Sequence, residues 1–226
     1  MALRKVMYED WQMECCGEPF AVGDEVAWPL RVDGDRLDDA AWAADLSEIE
    51  GPVVALDTLE GDWSEDGGGW SEGAGEGWTE GGGDFEDGGD FEDGGDFEDA
   101  DDENGFEEPW DPAVVQAHGI TVPWNRPAPG PPAPVRLAGL LTVERHGGRW
   151  PDTVGRVRAI HVVTQGFAET AEDSRTYVPV PGERWLRPVE MCPKWFQHEE
   201  LSRVSEGPGY RRQETGVLVE LDVRET

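Results

Sequence analysis

The sequence predicts a mainly β protein, a small barrel or sandwich with one or two short helices and a long disordered acidic insertion. Apolar residues alternate with polar ones near both ends of the chain, and Gly and Pro punctuate these stretches. A central tract, residues 60–108, contains no Val, Ile or Leu. Short strands separated by turn formers are typical of barrels and sandwiches, so we expect segments 1–59 and 135–226 to pack together.

The N-terminal segment, residues 1–59, contains two candidate strands and one candidate helix. Alternation over Glu25–Val32 predicts a strand with one apolar face, and Pro29 favours an edge position because it lacks a donor. Asp38–Leu46 is rich in Ala after an Asp that can cap, which predicts a short helix. Pro52–Leu59 predicts a second short strand.

The tract at residues 60–111 is the predicted insertion. Gly-Gly-Asp-Phe-Glu-Asp occurs unchanged at 82–87, 88–93 and 94–99, and residues 60–108 hold 21 acidic residues and no basic one. Such a composition buries too little apolar surface to offset its ordering entropy, so we expect disorder. Residues 112–134 follow as a linker, because Pro123–Pro134 contains six prolines.

The C-terminal segment, residues 135–226, contains the longest predicted strands. Val135–Arg145 and Val154–Val163 flank turn-forming residues 146–153, which predicts a hairpin. Tyr177–Pro188 holds many prolines and is expected along a sheet edge, and Met191–Leu201 is expected to form one or two helical turns. Gly216–Arg224 alternates cleanly, as a half-buried antiparallel strand does.

Charge and apolar patterning exclude several classes of protein. The formal net charge of −32 should repel nucleic acid and anionic membranes from the full-length chain. No apolar run follows the basic residues near the start, as a secretory signal would require, so we expect no export. The apolar clusters are far shorter than the roughly 20 residues of a segment that crosses a bilayer, so we expect no transmembrane segment. Three cysteines, two of them adjacent, indicate reduced thiols, so we expect a cytoplasmic protein. The charge and the short apolar clusters together lead us to expect no membrane partner.

Cysteine and histidine residues are the candidate ligands and catalysts. Cys15, Cys16, Cys192 and His198 have donor atoms suited to zinc, but they lack the C-x₂-C spacing of zinc sites. Buried core thiols are therefore favoured, and we expect no metal and no cofactor. The four histidines accompany no known nucleophile or metalloprotease signature, which makes a noncatalytic protein the favoured prediction. The alternative is an enzyme of unknown reaction with a site near His146.

Four arginines form the candidate binding residues. Arg156 and Arg158 share one face of a predicted strand, and Arg145 and Arg149 lie nearby in sequence. A tethered polyanion has a high effective concentration at such a face, so the acidic arm is hypothesised to engage or shield a basic surface. The competing interpretation is a solvated charge run that keeps the protein soluble. A binding or interaction protein with a protein partner is the predicted function.

Two resemblances support this fold. Phe20–Trp28 resembles the turn-and-strand opening of many SH3-like and OB-like barrels, which implies a barrel and no ligand. Trp11–Gly17, Phe20–Asp24, His146 with Thr153–Val157, and Gly216–Val219 resemble an uncharacterised protein family of the high-GC actinomycete type. That resemblance implies a fold and a cellular location, and no functional residue can be transferred from it.

Overall fold

The computed structural model describes residues 2–56, 112–126, 133–147, 150–171, 174–197 and 209–224, which belong to one unit. Its elements are β1 (Ala2–Glu9), α1 (Asp10–Cys16), β2 (Glu25–Trp28), β3 (Leu30–Asp33), β4 (Ser47–Gly51), β5 (Val53–Ala55), β6 (Ala113–Ala117), β7 (Ile120–Trp124), β8 (Val135–Val143), β9 (Thr153–Glu169), β10 (Tyr177–Val189) and β11 (Tyr210–Val223). The predicted mainly β class is confirmed. In the described part of the chain, no helix has the length and apolar character needed to cross a bilayer.

Two sheets make up the fold. The larger runs in the order β10-β9-β11-β1-β8-β3, with β2 added beside β9 and β4 beside β8, and it curls into a half-barrel. β1 pairs with β8 in parallel and with β11 antiparallel. The smaller sheet is β5-β6-β7, and the predicted insertion lies in the sequence between the paired strands β5 and β6. The disordered acidic insertion predicted at 60–111 lies outside the described residues.

Alternating side chains build a core on each face of the large sheet. On the inner face, apolar residues from β1, β8, β9 and β11 pack with the small sheet; they include Val6, Leu141, Val157, Val219 and Val122. A smaller cluster on the outer face joins Met7, Leu140, Val163 and Leu218 beneath Trp42. The strict period of two in β11 thus supplies both cores, with Val217, Val219, Leu221 and Val223 inward as predicted.

Several local predictions hold at the level of single elements. The Glu25–Val32 strand exists as β2 and β3, which are separated by Pro29. Tyr177–Pro188 lies at the sheet edge as β10, where its prolines cost few ladder hydrogen bonds. The Pro52–Leu59 strand shortens to β5 in the described residues.

The helix predictions were wrong in position. Residues 38–46 form successive turns, in which Trp42 N donates to Asp39 O at 2.9 Å and Asp45 N donates to Trp42 O at 2.8 Å. Tertiary contacts outweigh the helix propensity of the alanines in this segment, because Trp42 and Asp45 are both buried against the sheet. Met191–Gln197 contains no helix, and His198–Leu201 lie outside the described residues. The helix that does form, α1, has only seven residues.

Two connections differ from the sequence prediction. β8 and β9 do not pair as a hairpin, because β1 and β11 lie between them in the sheet. The segment expected as a linker, 112–134, begins with the hairpin β6–β7, which His118 (φ 51°) and Gly119 (φ 78°) turn. Three apolar side chains of that hairpin complete the inner core: Val115, Ile120 and Val122. Their burial stabilises the hairpin, although the prolines that follow favour an extended linker.

Candidate metal centre

Two cysteines and one histidine meet where α1 ends beside the turn that follows β8. The Cys15 and Cys16 sulfurs each lie 3.8 Å from His146 Nε2. All three donor atoms lie within 4.8 Å of one another, and all three residues are exposed. The structure therefore joins two distant parts of the chain into one cluster of soft donor atoms.

Gln12 holds the helix against the turn. Its buried side chain donates from Nε2 to Val143 O at 2.8 Å, and its Oε1 accepts a hydrogen bond from Arg145 N at 2.9 Å. The amide group thus pairs with the end of β8 as another strand would. Because Gln12 lies one helical turn before Cys16 and its partners Val143 and Arg145 come just before His146, this pairing sets the distance between thiols and imidazole.

The turn that carries His146 is ordered by Glu144. Its Oε1 accepts hydrogen bonds from His146 N at 2.9 Å and Gly147 N at 3.0 Å. Arg31 Nε lies 3.2 Å from the other carboxylate oxygen, which anchors the turn to β3. Trp11 stacks on the His146 ring with 5.0 Å between ring centroids. The imidazole is therefore held from its backbone and from one ring face.

Lys194 closes the C-terminal end of α1. Its Nζ donates to Met13 O at 2.7 Å and to Gly17 O at 3.0 Å, beside the two cysteines. A cation at a helix C-terminus interacts favourably with the unpaired carbonyls. Phe196 N donates to Glu14 Oε1 at 3.0 Å, so the 194–196 segment fastens a helix too short to be stable alone.

The cysteine thiols lie in different electrostatic surroundings. Desolvation raises the pKa of the Cys16 thiol, and Cys15 raises it further, whereas Arg145 lowers it. Cys192 is buried in the core, and that burial raises its pKa to about 12. Cys16 is therefore not an activated nucleophile. The expectation of buried core thiols is confirmed for Cys192 and wrong for Cys15 and Cys16, which are both exposed.

The two sulfur–nitrogen separations are close to those of ligands around one metal ion. A tetrahedral ion with metal–sulfur bonds of ~2.3 Å and a metal–nitrogen bond of ~2.0 Å places sulfur and nitrogen about 3.5 Å apart. The observed 3.8 Å distances are within a small side-chain movement of that spacing. Cys15, Cys16 and His146 could therefore hold an ion as three ligands, with a fourth position open to solvent.

The four predicted binding arginines occupy different surroundings. Arg145 lies at the metal cluster, with its guanidinium carbon 5.9 Å from the Tyr8 ring centroid. Arg156 and Arg158 are exposed on β9, where Arg158 forms an ion pair with Asp222. Arg149 lies outside the described residues. A shared anion-binding role for these four arginines therefore stays a prediction.

His161 is half-buried on β9, where the register shift opposite Glu220 and Leu221 places Val157 and Val163 on different faces of the strand. Val157 packs in the inner core and Val163 in the outer one.

Spacing in the sequence could not reveal the Cys15–Cys16–His146 cluster, because its two parts are about 130 residues apart. The adjacent cysteines were a local signal of two soft donor atoms. The turn residue His146 was singled out for a separate reason, as the centre of a possible enzyme site. Nothing in the spacing indicated that these two features meet.

Comparison with known proteins assigns a family and no activity. A family model described as a family of unknown function, DUF6578, matches residues 2–223. No curated protein and no solved structure matches the chain. The family match extends across both β segments and includes all three residues of the cluster.

Proposed function

This chain belongs to the DUF6578 family, whose function is unknown, and we propose that it is a noncatalytic binding protein for a soft metal ion. Cys15, Cys16 and His146 are the proposed ligands. The observation that carries the proposal is the meeting of two thiols and an imidazole within 4.8 Å. Thiolate and imidazole together select Zn²⁺ or Cu⁺ over the hard cations that carboxylates prefer.

A binding role fits the exposure of the site better than a catalytic one. Catalytic metal ions act in shaped, water-excluding cavities, whereas Cys15, Cys16 and His146 are all exposed. An open fourth position on an exposed ion suits uptake and release. Binding of the ion releases the thiol protons. We propose that the protein is cytoplasmic, where reducing conditions would keep all three cysteines free, as they are in this structure.

Metal titration of the reduced full-length protein tests the proposal. We expect one equivalent of Cu⁺ to be held against a colorimetric chelator, and one of Co²⁺, standing in for Zn²⁺, to give a thiolate-to-metal absorption band. Cys15→Ser, Cys16→Ser and His146→Ala should each weaken binding by about 100-fold, at the upper end of what supporting residues cost. Wild-type affinity in His146→Ala would exclude this site.

The matched control is His118→Asn. His118 is an exposed histidine with φ 51°, a conformation that Asn tolerates, and it lies in the β6–β7 turn. Its replacement should leave Cu⁺ and Co²⁺ binding unchanged. The acidic tract binds hard cations weakly, so Cu⁺ measurements separate the thiol site from carboxylates.

The alternative of an enzyme with a site near His146 makes a different prediction. An open metal position could activate water, in which case a hydrolysable ester would turn over in the loaded protein and not in Cys15→Ser. Absence of turnover at full metal occupancy would leave the binding function as proposed.

A second candidate function rests on the distribution of charge in the sequence. Residues 60–108, which lie outside the described residues, hold 21 acidic residues and no basic one, whereas residues 109–226 hold 15 acidic and 14 basic. We propose that this segment engages or shields a basic surface, either its own or that of a protein partner. Deleting 60–108 should increase retention on heparin; unchanged retention would refute shielding.

A further inference from the structure

Trp42 lies between two arginines on the outer face of the large sheet. Its side chain is fully buried over Met7, Leu140 and Leu218. The Arg184 guanidinium carbon is 4.2 Å from the indole centroid, and that of Arg36 is 4.9 Å away. One rigid ring therefore holds two cations close together, as cation–π contacts do.

This cluster carries more positive than negative charge. Asp45, only 1% exposed, accepts a hydrogen bond from Lys5 Nζ at 2.6 Å on its Oδ1. Its Oδ2 lies 2.5 Å from Arg184 Nη2, an ion-pair contact in which Oδ2 makes no hydrogen bond. Arg36 donates at 3.2 Å to Gln165 Oε1, which is neutral. Three cations thus face one buried carboxylate, an excess of two positive charges.

A neighbouring acidic residue, Asp39, reduces that excess. Its Oδ1 accepts from Ala41 N at 2.9 Å and Gly182 N at 3.3 Å, which are neutral donors, so its negative charge remains. Counting Asp39, these five side chains keep an excess of one positive charge. Excess cationic charge beside a buried indole is costly unless an anion compensates it.

Two buried donors in the cluster have no acceptor among the described residues. Trp42 Nε1 and Arg184 Nη1 are both shielded from solvent and make no hydrogen bond there. Folded proteins rarely leave a buried donor without an acceptor, and a bound ion or water often supplies one where the chain does not. Both donors belong to side chains in ring-to-guanidinium contact, so one small acceptor could serve both.

We propose that this cluster binds a small tetrahedral oxyanion, phosphate or sulfate. Arg184 Nη1 and Trp42 Nε1 donate to its oxygens, and Arg36 and Lys5 supply further positive charge. Lys5 keeps 35% of its side chain exposed to solvent. The site is separate from Cys15, Cys16 and His146, and its ligand is an anion where theirs is a cation.

Indole N–H resonances of the full-length protein, labelled with ¹⁵N, provide the test. Titrating phosphate and sulfate separately at constant ionic strength should shift the Trp42 signal, identified with Trp42→Phe, in a saturable manner. Acetate, which is planar, should shift it less at equal concentration. A Trp42 signal that does not move with either tetrahedral anion, or moves linearly without saturation, would overturn the proposal in favour of a water-filled contact.

Arg36→Gln is the decisive variant because it removes one cation and leaves Asp45 paired with Lys5 and Arg184. Loss of a charge-assisted contact should weaken oxyanion binding by about 10- to 100-fold. Arg136→Gln, which removes an exposed arginine on β8, is the matched control and should keep wild-type affinity. Equal affinities of Arg36→Gln and Arg136→Gln would refute the site even if an anion binds elsewhere.

Discussion

Replacing Gln12 by Met should destabilise the fold, mainly through the loss of two hydrogen bonds to the backbone. Gln12 is fully buried, and its amide pairs with Val143 O and Arg145 N. Met has a similar length and volume, so little cavity forms. Each of the two backbone groups left unsatisfied costs about 1–3 kcal/mol, which gives a loss of about 2–6 kcal/mol in the free energy of unfolding.

Urea denaturation of the reduced protein, followed by tryptophan fluorescence, measures this loss. Gln116→Met on β6 serves as the control, because Gln116 is only half-buried and should lose little. A Gln12→Met protein within about 0.5 kcal/mol of wild type, the scatter of surface substitutions, would refute the reasoning that the amide replaces a strand partner.

The same substitution links stability to the metal centre. Without the pairing of Gln12, the end of α1 and the His146 turn are no longer held at a set distance. We expect Cu⁺ affinity to fall by about 10-fold or more, as for residues that position ligands. If stability falls and Cu⁺ affinity does not, the ligands are positioned by Glu144 and Lys194 instead.

Two further predictions concern burial and backbone strain. Burial raises the pKa of Cys192 from 9.0 to about 12, so between these pH values the folded state keeps a proton that the unfolded state releases. The free energy of unfolding should therefore fall as pH rises from 9 toward 12. The fall should be less steep in Cys192→Ala, and near pH 7 the two proteins should show no such difference. Gly216 has φ +130°, and a Cβ there would lie 2.2 Å from Tyr8 O, so Gly216→Ala should lose about 2–4 kcal/mol. Gly182→Ala, with φ +80° and open space, should lose only about 1–2 kcal/mol in the same denaturation assay.

The metal centre could not be predicted from spacing. A C-x₂-C motif is recognisable because both ligands come from one short segment. Here the cysteines are adjacent and the histidine comes from a turn about 130 residues away, brought near by the parallel pairing of β1 with β8. The oxyanion cluster was equally hidden, because Trp42 stood in a segment whose alanines predict a helix.

Local periodicity and composition by themselves predicted β2, β3, β5, β8, β9, β10 and β11, the edge position of β10 and the charge of the 60–108 tract, since each depends on neighbouring residues alone. The strands β1, β4, β6 and β7 were not predicted. Only the tertiary structure decided the strand order, the seven-residue helix α1 and the turns around Trp42. A helix of that length gains too few hydrogen bonds to form alone, so Gln12 and Lys194 must hold it in place. Contacts between distant segments have no sequence period, and both candidate sites consist of such contacts.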